Sequence, residues 1–173
     1  AKDFVASVIG QIAPHDSVER FEGLGVTVIE DYGHFISPTE VQAGERVITA
    51  RRIVIATGSS PFVLPIPGLS EVPYYTNETI FDLRARPDHL LIIGGGPIGM
   101  EMAQAHRRLG SKVTVIEGQQ VFAKDDPELA AILVQKLRDE GIEIVEGALA
   151  QSVSGTGGDV TVSTSGGEFH GTH

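Results

Sequence analysis

Residues 90–99 read Leu90-Leu91-Ile92-Ile93-Gly94-Gly95-Gly96-Pro97-Ile98-Gly99, and no other run constrains the fold so strongly. Four apolar residues predict a buried strand, the glycines a tight turn, and Pro97 the first position of a helix. The spacing predicts that helix over Pro97–Leu109, with Ile98, Met102, Ala105 and Leu109 on one face and Gly110 at its stop. A second strand is expected at Val113–Ile116. A second helix over Pro127–Glu140 has Asp126 as N-cap and Gly141 as terminator, and a third strand covers Ile142–Val145. Strand, helix, strand, helix, strand is one half of a doubly wound parallel sheet.

This context gives the glycine run chemical meaning. In a Rossmann-type unit the first glycine permits the turn, the second admits a pyrophosphate and the third lets helix and strand pack closely. Gly94, Gly96 and Gly99 hold those positions, and Gly94, Gly95, Gly96, Pro97, Ile98 and Gly99 are the expected phosphate-side contacts of NAD(H). The helix N-terminus adds N–H groups and a positive dipole end. An acid is expected about twenty residues on, to hold the ribose hydroxyls. Glu117 lies twenty-one residues after Gly96, at the end of the second strand. Gly118, Gln119 and Gln120 follow it with no arginine for a 2′-phosphate, so NAD is expected over NADP.

The first half is less regular. Phe4, Val5, Val8, Ile9 and Ile12 recur at helical spacing, with Asp3 as the expected cap and Pro14 as the stop. A short helix is expected from Asp16 to Leu24, ended by Gly25. Strands are expected at Val26–Ile29, His34–Ile36, Glu40–Gln42 and Arg46–Thr49, the last two as a hairpin through Ala43-Gly44-Glu45. Arg52–Ala56 reads as a buried parallel strand ending at Thr57-Gly58. Pro61 to Pro87 reads as a proline-rich crossover, with a short helix capped at Thr76 or Asn77 and running to Leu83. The tail predicts a meander of Gln151–Ser154, Val160–Ser165 and Glu168–His173.

Of the 173 residues 41% are hydrophobic, and the net charge is −10. An acidic chain without a basic cluster is a poor partner for nucleic acid or an anionic membrane. No apolar run is long enough to span a bilayer and no signal-peptide pattern opens the chain, so the cytoplasm is the expected compartment. There is no cysteine, which excludes disulfides and thiolate chemistry within these residues. His170 and His173 are placed on opposite strand faces by alternation, and Asp125-Asp126 is explained by helix capping. No metal site is expected.

Three segments then fit one pattern. Thr49-Ala50-Arg51-Arg52-Ile53-Val54-Ile55-Ala56-Thr57-Gly58, the proline-rich crossover through Pro65-Ile66-Pro67-Gly68, and the glycine motif with Glu101 and Glu117 occur in this order. Together they resemble the two-dinucleotide flavoproteins. His15 to Phe21 and Tyr74 to Phe81 look closest to the pyridine nucleotide-disulfide oxidoreductases, which include dihydrolipoamide dehydrogenase and mercuric reductase. The resemblance implies an FAD-dependent enzyme passing hydride between NAD(H) and flavin. It implies FAD contacts at Gly33, Ala56, Thr57 and Gly58, and a flavin-side acid at Glu101 that pairs with a lysine of the flavin domain. The first GxGxxG, the redox cysteine pair and the dimerisation domain of that family are not in this sequence. The expectation is an internal piece, inactive alone, of a parent that is a homodimer. Residues 1–86 are expected to be the end of the FAD domain plus crossover, and residues 87–173 the NAD domain. An NADH oxidase, transhydrogenase or ferredoxin-reductase relative without the disulfide, or a non-catalytic NAD-binding module, stays open. The sequence does not give the electron acceptor.

Overall fold

The structure, a computed structural model, describes residues 2–173. Two compact units are present, one running up to Ser60 and the other spanning Pro61–His173.

In the first unit α1 (Lys2–Ile12) leads through a 3-10 turn at Ala13–Asp16 into α2 (Val18–Gly23). Asp3 lies in the first turn of α1, not at its cap. The helix expected from Asp16 begins later, because Pro14 draws Asp16 into the 3-10 turn. Ser17 then becomes the cap, its hydroxyl accepting the Arg20 N–H at 3.2 Å. Gly25 ends this segment in the left-handed region, at φ 85°. Val26–Ile29 carries no strand pairing. A three-stranded antiparallel sheet follows in the order β1 (Gly33–Ser37), β2 (Glu40–Ala43) and β3 (Arg46–Thr49), with Ala43 opposite Arg46 across the turn.

Arg52–Ala56 corrects the expectation of a buried strand. It belongs to no sheet, and Val54 and Ile55 are 87% and 72% exposed. A parallel strand is held by its neighbours, and among the described residues of this unit none pairs with it. Ala43 is the one buried hydrophobic residue described here.

The second unit has three layers. Its central sheet is parallel, in the order β4 (His89–Ile93), β5 (Lys112–Ile116) and β6 (Glu143–Val145). The crossovers are α3 (Pro97–Arg108) and α4 (Pro127–Asp139), the latter capped by Asp126 as expected. Strand alternation sends Leu90, Val113 and Val115 toward Met100, Ala103, Val134 and Leu137 on the helices. Leu91 and Ile93 pack on the other face, with an antiparallel meander of β7 (Ala150–Thr156), β8 (Asp159–Thr164) and β9 (Gly167–Gly171). His173 lies beyond β9 and its ring stacks on Tyr75, so the strand-face argument for His170 and His173 does not extend to it.

Two further expectations change. The buried face of α3 is Met100, Ala103 and His106, while Ile98 and Leu109 are 56% and 48% exposed. Gly99 presses against the strand, and that contact fixes which side faces inward. The helix expected through Leu83 is a turn and a 3-10 turn at Ile80–Asp82. The Thr79 and Thr76 hydroxyls there accept the N–H groups of Thr76 and Glu78, offering the backbone local partners in place of a helix. The two compact units meet at Ser60/Pro61. The crossover belongs to the second unit because Pro67 accepts the Val153 N–H at 2.8 Å and Ile66, Leu69 and Val72 pack on the meander. A Cβ on Gly68 would stand 1.9 Å from the Val153 oxygen, so this crossing needs glycine. Among the described residues no helix is long and apolar enough to cross a membrane.

Glu140 ties the helix ends together. Arg108 donates two hydrogen bonds to its carboxylate at 2.8 and 2.9 Å, and Gln104 donates a third at 3.0 Å. The Arg108 hydrogen bonds hold the Glu140 carboxyl below its ordinary value. A depressed carboxyl stabilises the fold while ionised, and that contribution is lost as pH falls through its folded pKa. Thermal melts between about pH 6 and pH 3 should show a shallower acid loss for Glu140→Gln than for wild type. Brief trypsin treatment should cut first after Arg51 or Arg52, in the exposed run without secondary structure. A first cut after Arg84 or Arg86 would instead favour the division at 86/87.

Candidate functional site

The turn between β4 and α3 lies at the carboxyl end of the parallel sheet, where such folds bind ligands. Gly94 has φ 111°, a conformation that side chains rarely adopt. A Cβ on Gly96 would meet nothing within 4 Å, so the backbone there faces open space. A Cβ on Gly99 would fall 2.2 Å from the Gly94 oxygen, which is the close packing expected of the third glycine. Pro97 starts the helix, and Met100 N–H makes its first i→i−4 bond, to the Gly96 carbonyl. That leaves the Ile98 and Gly99 N–H groups in the first turn, where no intrahelical acceptor exists.

Glu117 ends β5 beside this turn. One carboxylate oxygen accepts the Gly95 N–H at 2.8 Å and the other accepts the Gln119 N–H at 2.9 Å. The expected ribose acid is therefore also a brace between the glycine turn and the loop after β5. Sequence reading missed this second role. It also missed the reason that the middle residue is glycine: a Cβ on Gly95 would lie 2.3 Å from Val121 Cγ1 and 3.2 Å from Glu117 Cβ. The signal was the third consecutive glycine, one more than the motif requires. Phe122 then accepts a left-handed backbone, φ 53°, and donates its N–H to the Gly95 carbonyl at 3.0 Å. Such a conformation costs a non-glycine residue about 1–2 kcal/mol. Val121 N–H is held by Glu146 at 3.0 Å, whose other oxygen meets Arg138.

Glu101 is exposed, two residues past Gly99, and borders a cleft of about 330 Å³ between α3 and α4. Met100, Leu133 and Leu137 line that cleft, and Asp125 and Asp126 stand with Glu101 as its acids. In the first unit, Gly33 pairs with Ala43 in the antiparallel sheet, while Ala56, Thr57 and Gly58 lie exposed on the unpaired run. Gly58 has φ 68° and open space at its Cβ position. The structure thus brings Gly94 to Gly99, expected at NAD, into one turn and helix start with Glu117 beside them, and places Gly33 in β1 and Ala56, Thr57 and Gly58 on the run outside it. No group of three or more potential metal ligands occurs among the described residues.

The model of the pyridine nucleotide-disulphide oxidoreductases matches residues 8–170. The chain belongs to this family. Mercuric reductase from Acidithiobacillus ferrooxidans is 34% identical over 160 residues, covering 87% of this chain and 29% of the relative. Mercuric reductase from Bacillus cereus is 38% identical over 141 residues, covering 76% and 22%. Among solved structures, LpdA from Mycobacterium tuberculosis has a TM-score of 0.77 at 28% identity, covering 99% of this chain and 40% of its own. The HOCl-induced flavoprotein disulfide reductase RclA from Escherichia coli, as a Cu(II) complex, has a TM-score of 0.73 at 29% identity, covering 89% and 37%. The chain spans from 20% to 29% of the length of the curated relatives it matches.

The glycine geometry of this family member separates folding from binding. Gly96 has φ −77° and ψ 176°, which alanine adopts freely. Gly96→Ala should keep its melting temperature within a few degrees and weaken NADH binding at least tenfold, roughly the cost of displacing one close contact. Gly99→Ala should lower the melting temperature by about 5 °C or more, because its methyl meets backbone. Differential scanning calorimetry paired with NADH titration reads both; equal melting losses for the two variants would refute the separation.

Proposed function

We propose that this chain is the NAD(H)-binding part, with the adjoining flavin-side strand and crossover, of an FAD-dependent pyridine nucleotide-disulfide oxidoreductase. The observation that carries the reading is the opening at Gly96, facing a helix N-terminus and flanked by the Glu117 carboxylate. A pyrophosphate suits that opening, since N–H dipoles and a helix end favour negative charge without a bound cation. Glu117 has lone pairs left after accepting two backbone N–H groups, and they suit ribose hydroxyls. Residues 1–86 supply flavin-side surface and crossover in this proposal, and residues 87–173 supply the nucleotide fold.

In the whole protein, the flavin supplies the hydride-accepting ring, and this chain holds and orients the nicotinamide donor. Gly94 to Gly99 fix the pyrophosphate, and Glu117 fixes the adenine ribose. Gly33, Ala56, Thr57 and Gly58 contribute to FAD contact, with Gly58 offering the opening described above. Glu101 stands on the flavin side, where its carboxylate pairs with a lysine of the flavin domain. The rest of the machinery lies in the parent, which works as a homodimer in the cytoplasm, and this piece alone does not turn over. Its acidity argues against a nucleic-acid partner.

The nucleotide preference is for NAD(H). A 2′-phosphate would face the Glu117 carboxylate as like charge, and Gly118 to Gln120 bring no cation to offset it. Glu117→Gln keeps one acceptor for the backbone brace and removes the charge. Calorimetry should show NADH binding weakened roughly ten- to 150-fold, the scale of one charge-assisted hydrogen bond of roughly 1.5–3 kcal/mol. NADPH binding should hold or improve. Tighter NADPH than NADH binding by the wild type would overturn the preference.

A further inference from the structure

We propose that Glu146, held by Arg138, is a positioning residue for the phosphate half of the bound nucleotide, an inference that rests on the dinucleotide reading above. Glu146 directly follows β6, and it acts through the loop after β5. One carboxylate oxygen accepts the Val121 N–H at 3.0 Å, and the other accepts a hydrogen bond from Arg138 Nη2 at 3.2 Å. Arg138 is the penultimate residue of α4, so Glu146 ties the loop to the end of that helix. Val121 is 3% exposed, and a backbone N–H in such a place needs a protein acceptor. Its side chain presses on the middle glycine of the turn, where a Cβ on Gly95 would stand 2.3 Å from Val121 Cγ1. Phe122 N–H adds a bond to the Gly95 carbonyl at 3.0 Å, from a backbone of φ 53°. A bulky residue keeps that conformation only where its neighbours hold it, and Glu146 fixes the residue just before it.

The path therefore runs from Arg138 through Glu146 and Val121 to Gly95, which leads directly into the opening at Gly96. Gly147 serves the other half of the site. Its N–H donates to the Gln119 carbonyl at 2.8 Å, and Gln119 N–H donates in turn to the Glu117 carboxylate at 2.9 Å. The ribose acid is thus held by bonds that do not pass through Glu146. Two consecutive residues after β6 hold the two ends of one loop: Gly147 the end at the ribose acid, Glu146 the end at the phosphate turn. Without the Glu146 carboxylate, Val121 N–H loses its acceptor and Gly95 loses the surface that sets the height of the turn. A turn displaced by a fraction of an ångström makes longer, poorly aligned hydrogen bonds to a pyrophosphate.

The test compares ligands that carry or lack the pyrophosphate. Calorimetry and competition titrations on the 173-residue chain would use NADH, ADP-ribose and adenosine, the last having a ribose and no phosphate. Glu146→Ala should weaken NADH and ADP-ribose about tenfold and leave adenosine within about twofold. Glu146→Gln keeps a carbonyl acceptor for Val121 N–H and should recover most of the NADH affinity. Arg138→Ala should weaken NADH about two- to threefold, the scale of a half-exposed ion pair, and should add nothing in the Glu146→Ala background. A residue that only supported the fold would lower the melting temperature and weaken all three ligands alike. Equal loss for all three, wild-type NADH affinity in Glu146→Ala, or an Arg138→Ala effect that persists without Glu146 would overturn the positioning role and leave the dinucleotide reading standing. If Glu146→Ala does not fold, Arg138→Ala decides alone: weaker NADH with unchanged adenosine supports the role, and unchanged NADH overturns it. Absence of NADH and ADP-ribose binding by the folded wild type would overturn both.

Discussion

The second unit depends on one close approach, that of α3 to the end of β4. The chain can turn from strand to helix in so few residues only because Gly94 takes φ 111° and Gly99 lets the helix settle over the Gly94 carbonyl. This contact sets which side of α3 faces the sheet, and so selects Met100, Ala103 and His106 for the interior. It also aims the helix N-terminus along the opening at Gly96. The fold and the proposed anion site have the same cause: a helix brought close enough to pack is a helix whose first-turn N–H groups point at whatever sits in the turn.

The two units differ in what they can bury. The second places apolar groups on both faces of its sheet, toward the helices on one side and the meander on the other. The first offers Phe4, Ile9, Tyr32, Val54 and Ile55 to the outside, each more than half exposed. Hydrophobic burial is the main favourable term in folding, so a unit with so little of it gains little from its own contacts.

This difference also explains what the sequence made legible. The β–α–β–α–β half was readable because its signals are local: Asp126 caps, Gly110 and Gly141 stop, and three apolar runs alternate with two helical ones. Each element there finds its neighbours within a few tens of residues. Arg52–Ala56 carries an equally good strand signal, yet a strand is defined by pairing, and no partner is among the described residues. The face of α3 was misread because periodicity weighs side chains, whereas the inward position is held by Gly99, which has none. At the site, the turn at Gly94, the open space at Gly96 and the close packing at Gly99 followed from spacing. The brace from Glu117 to Gly95 did not, since it joins residues far apart in sequence through a backbone N–H that leaves no trace in residue type.

That brace changes how the acid should be understood. A carboxylate waiting free in solution would have to be ordered and partly desolvated when the ribose arrives, and both steps oppose binding. Glu117 is already ordered, with one oxygen on Gly95 N–H at 2.8 Å and the other on Gln119 N–H at 2.9 Å. Its negative charge is shared with two backbone dipoles while lone pairs remain for hydroxyl donors. The cost of positioning the acceptor is therefore met in folding, by the same bonds that hold the glycine turn against the loop after β5. The turn proposed to receive phosphate and the acid proposed to receive ribose are consequently one mechanical element. A substitution that removes the whole side chain acts on both, whereas glutamine removes the charge and keeps one of the two brace bonds.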